Sequence, residues 1–180
     1  MDIQEFNSLD NNTAVSELLK VCGSTLWANN MSASRPFSSL SDMMERAEIE
    51  WSSVSPDDWK EAFAAHPKIG DKEALRKKFS SGNQSGWEGN EQSGVNTASE
   101  AVLNRLSEMN DAYLSKFGYI FLICATGKTA QEMLDAIETR YHNDPADEIV
   151  IAAGEQAKIT KLRLRKLISS RELNHSPSHL

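Results

Sequence analysis

A histidine stands directly before a proline in Ala65-His66-Pro67-Lys68-Ile69-Gly70-Asp71, where an amphipathic helix is due to end. The ring of Pro67 disfavours helical backbone at His66, so the imidazole is offered from a helix terminus instead of being buried along a face. Its unperturbed pKa lies nearest neutrality of any side chain, which suits proton transfer. The plainer reading is that His66 only caps a helix. Three other groups could join it. Glu91 and Gln92 close a polar loop, while Phe121, Leu122, Ile123, Cys124 and Ala125 offer backbone amides in an extended run. Arg163 interrupts the last helix close to its apolar side. Converging, they would supply an acid or base, a carboxylate, amide donors and acceptors, and a guanidinium for an anionic oxygen. Each has a plainer alternative. Arg163 lies among Lys161, Arg165 and Lys166, as cations at a solvated helix C-terminus do, and a glutamate in a polar loop more often faces water.

Other chemistries fail on spacing. Gly127-Lys128-Thr129 imitates the end of a phosphate-binding loop, but the required first glycine would fall at Leu122, so no backbone nest can form. No serine sits in a G-x-S-x-G elbow, and neither cysteine has a cationic setting that would lower its pKa. The histidines are scattered apart from the pair His175 and His179 near the end of the sequence, so no metal site is expected.

Helices must position these groups. Val15, Leu18, Leu19 and Cys22 recur at helical spacing before Gly23, and Leu26, Trp27 and Met31 mark a second helix before the break at Arg35-Pro36-Phe37. Met44, Ala47 and Trp51 mark a third. Ser55, Pro56 and Asp58 announce a capped start for a helix with Trp59 and Phe63 on its apolar face, running into His66. A short helix over 72–79 and a loop over 80–90 should follow. Thr97 and Glu100 form a second capping box for a helix carrying Val102, Leu106, Met109, Tyr113 and Phe117, closed by Gly118. Thr129 and Glu132 cap another through Tyr141, and Asp144-Pro145 starts the last, with Ile149, Ala152, Ile159, Leu162 and Lys166 along one side. The run from Tyr119 to Ala125 has strand composition but no partner strand. The sum is an all-α single domain of about seven or eight helices with a buried extended segment. It should span residues 1–170, with 171–180 a polar tail.

Composition narrows the ligand. The 180 residues carry a net charge of −7 and a pI near 5.1, without the basic footprint of a nucleic-acid or anionic-membrane binder. No run approaches a membrane span, and the N-terminus lacks a signal-peptide core, so a soluble, non-secreted protein is expected. Cys22 and Cys124 read as free buried thiols in a reducing compartment. A small molecule is the expected partner.

The residues resemble a known family, the 2-oxo-4-hydroxy-4-carboxy-5-ureidoimidazoline (OHCU) decarboxylases of urate degradation. The matching blocks are Cys22-Gly23-Ser24 with Trp27 and Met31, Arg35-Pro36-Phe37, the Ala65 to Gly70 block, Trp87 with Glu91-Gln92, Phe117-Gly118 with Phe121 to Ala125, and Lys158-Ile159-Thr160 leading to Leu162-Arg163-Leu164. Their common order makes the resemblance specific and extends it from Phe6 to Leu167. It implies a cofactor-free helical enzyme, often a homodimer, that converts OHCU to (S)-allantoin and carbon dioxide. By the same resemblance His66 is the catalytic histidine, Glu91 and Arg163 act with it, and Pro67, Gln92 and the residues from Phe121 to Ala125 contact substrate. Glu88 stands where many members have a serine, so one substrate hydrogen bond is absent or supplied by backbone.

Two rival readings are a noncatalytic helical interaction domain and a degenerate paralogue that binds ureides without turnover. The ending Ser178-His179-Leu180 is close to the peroxisomal S-K-L signal. Chance and truncation of a longer protein compete with that reading. Leu173 and His179-Leu180 partly resemble the internal signal joining this domain to a hydrolase domain in plant bifunctional relatives, which suggests a functional link to a hydroxyisourate hydrolase. The peroxisome is the expected location, with the cytoplasm as the alternative.

Overall fold

Side-chain caps set most of the helix starts. The computed structural model describes residues 1–67, Leu75 and residues 92–168, the side chains of 92–99 excepted, and among them are eight helices and no strand. They are α1 (Ile3–Ser8), α2 (Asn11–Val21), α3 (Thr25–Ala33), α4 (Leu40–Ser53), α5 (Pro56–Ala64), α6 (Gln92–Phe117), α7 (Ala130–Tyr141) and α8 (Pro145–Ile168). The expected all-α architecture is the one found. Asp10, Ser24 and Ser39 each accept a backbone N–H at the head of α2, α3 and α4. The boxes read from Ser55/Asp58 and Thr129/Glu132 are both formed.

Contacts gather into two compact units: Met1–Ala65 with the chain from Ala153 on, and His66–Ala152. In the first, Phe6, Leu18, Trp27, Met31, Met43, Phe63 and Leu164 are wholly buried. The three described tryptophans each have a partner for the indole donor: Trp27 Nε1 donates to Ala47 O at 3.1 Å, Trp51 Nε1 to Ala153 O at 2.9 Å and Trp59 Nε1 to Trp51 O at 3.0 Å. Arg35, at the expected break after α3, donates through Nη1 to Phe6 O at 3.0 Å and Leu9 O at 2.7 Å. It thereby satisfies carbonyls at the end of α1. In the second unit α6 packs on α7, burying Leu106, Tyr113 and Ile137.

Several expectations need correction. The second long helix begins at Gln92, not Thr97, so Thr97 and Glu100 lie inside α6 and not at its start. Helical continuation outweighs the local preference of Ser, Asn and Thr for helix ends, a weak prior that context overrides. The helix expected to run into His66 stops at Ala64, with Ala65 as its C-cap. On α4 the buried methionine is Met43, and on α2 and α3 Leu19 and Leu26 are exposed. The buried stripe of α8 holds Ala152, Ala153, Gln156, Thr160 and Leu164, because polar side chains there find partners and need not face water. Cys124 is only half-buried. The helix expected over 72–79, of which Leu75 alone is described, and the loop over 80–90 lie outside the described residues.

Candidate active site

The backbone that leads into His66 is fixed by a corner between α2 and α3. Here Cys22, Gly23 and Ser24 connect the two helices. A Cβ placed on Gly23 would come within 2.5 Å of the Ala65 Cβ, so only glycine lets the end of α5 pack this closely. Glu61, one turn earlier on α5, accepts from Thr25 N at 2.7 Å and from Thr25 Oγ1 at 2.9 Å, tying α5 to the first turn of α3. One carboxylate thus meets two donors at a helix N-terminus, where negative charge is favoured. Ala65 keeps helical backbone, and His66 follows half-buried, with Pro67 exposed.

The same corner seats Arg163. From α8 its Nη1 donates to Lys20 O and Val21 O, each at 3.3 Å, capping the last carbonyls of α2. Those are its hydrogen bonds among the described residues. Arg163 is half-buried, not spread along a solvated face. Below it Cys22 is buried beside Thr160, and burial pushes its thiol up from 9.0 to about 11. A thiol held neutral in this way is not a nucleophile at working pH.

The extended run lies in the second unit. After Gly118, whose φ of +83° turns the chain out of α6, residues 120–125 form neither helix nor strand. Leu122 is buried, while Phe121, Ile123, Cys124 and Ala125 are half-buried. An ion pair holds the run. Arg140 Nη1 donates to Leu122 O at 2.8 Å, its Cζ lies 4.5 Å from the Phe121 ring centroid, and its Nε donates to Glu148 Oε1 at 2.6 Å. Glu148 is wholly buried and also accepts from Tyr113 OH at 2.7 Å and Asn143 Nδ2 at 3.0 Å. Burial and that acceptor push the Tyr113 hydroxyl far above its ordinary range, so it stays a donor. The connection between α7 and α8 and about one turn of helix separate Arg140 from Glu148 in the chain, so periodicity gives no hint that they pair.

The expected site residues therefore divide. His66 and Pro67 leave the end of α5, and Arg163 is anchored at the α2–α3 corner. Phe121 to Ala125 are held by the Arg140–Glu148 pair. Gln92 opens α6, while its side chain, Glu88 and Glu91 lie outside the described residues. Among the described residues no group of three or more His, Cys, Asp or Glu is arranged to hold a metal ion, and no helix is long and apolar enough to cross a membrane.

A family model described as OHCU decarboxylase matches residues 7–165. The chain is 41% identical, over 83% of its own length and 46% of the relative's, to the uric acid degradation bifunctional protein TTL of Arabidopsis thaliana. It is 28% identical to the 2-oxo-4-hydroxy-4-carboxy-5-ureidoimidazoline decarboxylase of Amia calva, over 93% of this chain and 95% of that one. A crystal structure of OHCU decarboxylase in the presence of (S)-allantoin is similar at a TM-score of 0.68 and 38% identity, covering 86% of this chain and 98% of that chain. The chain spans less than half the length of the bifunctional relatives that it matches.

Proposed function

The chain belongs to the OHCU decarboxylase family, and on that premise we propose that it converts OHCU to (S)-allantoin and carbon dioxide without a cofactor. The observation that carries this reading is the family match across residues 7–165, which includes both His66 and Arg163. The bond from the ring carbon to the carboxylate breaks, carbon dioxide leaves, and the electron pair passes into the imidazoline ring. Arg163 and backbone amides of residues 121–125 stabilise the resulting oxygen-centred charge. Glu91 and Gln92 hold the hydroxyl and ureido groups, with Pro67 and the residue at Glu88 completing the contacts, so that one face of the carbanion is presented. His66 delivers a proton to the neighbouring ring carbon, which bears the ureido group, while the hydroxyl on the decarboxylated carbon passes its proton to the ring nitrogen and becomes the carbonyl of allantoin; His66 is reloaded from solvent. Stereocontrol is part of the enzyme's contribution, because a free carbanion takes its proton on either face.

The test generates OHCU in place from urate with urate oxidase and hydroxyisourate hydrolase and follows circular dichroism. Faster OHCU loss with optically active allantoin is the expected result. Racemic product at the spontaneous rate would overturn the reading, and binding without turnover would make the chain a ureide-binding paralogue. The same reading makes the protein a homodimer in the peroxisome, working beside a hydroxyisourate hydrolase. Family resemblance and the bifunctional relatives support it. A monomer by light scattering would remove the dimer, diffuse fluorescence of an N-terminally tagged chain would remove the location, and unchanged flux when the hydrolase is tethered to this chain would remove the link.

A further inference from the structure

We propose that Gly23 and Glu61 are positioning residues for His66, fixing through the last turn of α5 the backbone from which the imidazole departs. This rests on the role for His66 given above. Gly23 has no positive φ, so an alanine there is free of backbone strain and only space opposes it. Carbon atoms in contact lie about 3.5–4.0 Å apart, against 2.5 Å for the added Cβ and the Ala65 Cβ. One backbone must therefore yield by about 1 Å. The remaining neighbours of that Cβ, Ala62 Cα at 3.6 Å and Ala62 O at 3.8 Å, are ordinary contacts. Ala65 thus takes the whole conflict, and His66 is the next residue.

Glu61 works from the other side. Its two bonds to Thr25, at 2.7 and 2.9 Å, prevent α5 from sliding away from the corner. The corner also carries the carbonyls on which Arg163 rests. A cation and the approach to an imidazole are thereby referred to one short stretch of backbone.

The contact predicts its own rescue. Gly23→Ala should displace the His66 imidazole signals in proton–nitrogen NMR spectra, with His66→Asn identifying them. Because misplacement by 1 Å can cost about 100-fold, kcat should fall roughly 10- to 100-fold while KM changes less than about threefold. Ala65→Gly removes the atom in conflict, so Gly23→Ala/Ala65→Gly should restore both the signals and kcat. A merely destabilising alanine would not be repaired by a second residue that itself weakens a helix end. Thr25→Val, on an exposed bond, should move the same signals less and leave the fold intact. Unmoved His66 signals in folded Gly23→Ala, or no recovery in the double variant, would overturn the proposal. Should Gly23→Ala fail to fold, unmoved signals in Thr25→Val would do so. An inactive parent chain would instead remove the proposed function, leaving the NMR comparison to judge the positioning.

Discussion

The α2–α3 corner and the 121–125 run both hold candidate site backbone in place, but by opposite means. The corner uses fit: a missing Cβ at Gly23, an exposed carboxylate on Thr25, and carbonyls capped by Arg163. The run is held by a buried charge pair, Arg140 and Glu148, with Tyr113 and Asn143 completing the carboxylate's shell. A steric seat fails by displacement, so its loss is felt at the group it aims. A buried pair fails by exposing an uncompensated charge, so its loss is felt by the whole fold. Damage to the corner should thus appear first in turnover, and damage to the pair first in stability.

Glu148→Ala breaks that contrast at its strongest point. Among the described residues Arg140 already has one buried nitrogen, Nη2, without a hydrogen-bond partner, and removing the carboxylate would leave the cation with Leu122 O and the Phe121 ring. Loss of one partner from a buried pair costs about 3–5 kcal/mol, read as a lower urea midpoint. A loss below about 1 kcal/mol, the range of exposed pairs, would show that the pair is not what holds the run.

A smaller effect sharpens the other side. Burial raises the Cys22 thiol from 9.0 to about 11, so the unfolded chain loses this proton first as pH rises. The associated stability is fully present below pH 9 and is lost as pH climbs through 11. Urea midpoints of the parent chain should fall more steeply over that window than those of Cys22→Ala. Equal slopes would mean that the corner is open to water.

The corner was far more legible in the sequence than the run. Ser55, Pro56 and Asp58 act within one helical turn, and the box they announce is formed. Gly23 is a visible stop after an apolar stripe, though nothing local reveals that its partner is Ala65. Of the expected stripe on α8 Ala152 is buried, while the rest of the buried side shifts because apolar spacing cannot register Gln156 and Thr160, which are buried and joined at 3.1 Å. Arg140 and Glu148 escaped notice for the same reason, since a charged residue reads as solvent-facing until its partner is known. His66 and Arg163 were visible as chemistry. What holds Arg163 and the end of α5, two backbone carbonyls and the close approach of Gly23 to Ala65, is tertiary, and no local spacing announces it.

The central claim is that His66 supplies the proton that sets the product's handedness. Circular dichroism of allantoin formed by His66→Asn beside the parent chain tests it most directly, with thermal unfolding as a control on the fold. Losing a general acid costs about 10²- to 10⁴-fold in rate, so the variant should unfold at the parent temperature and give racemic allantoin at the spontaneous rate. Optically active product formed at close to the parent rate would contradict the account.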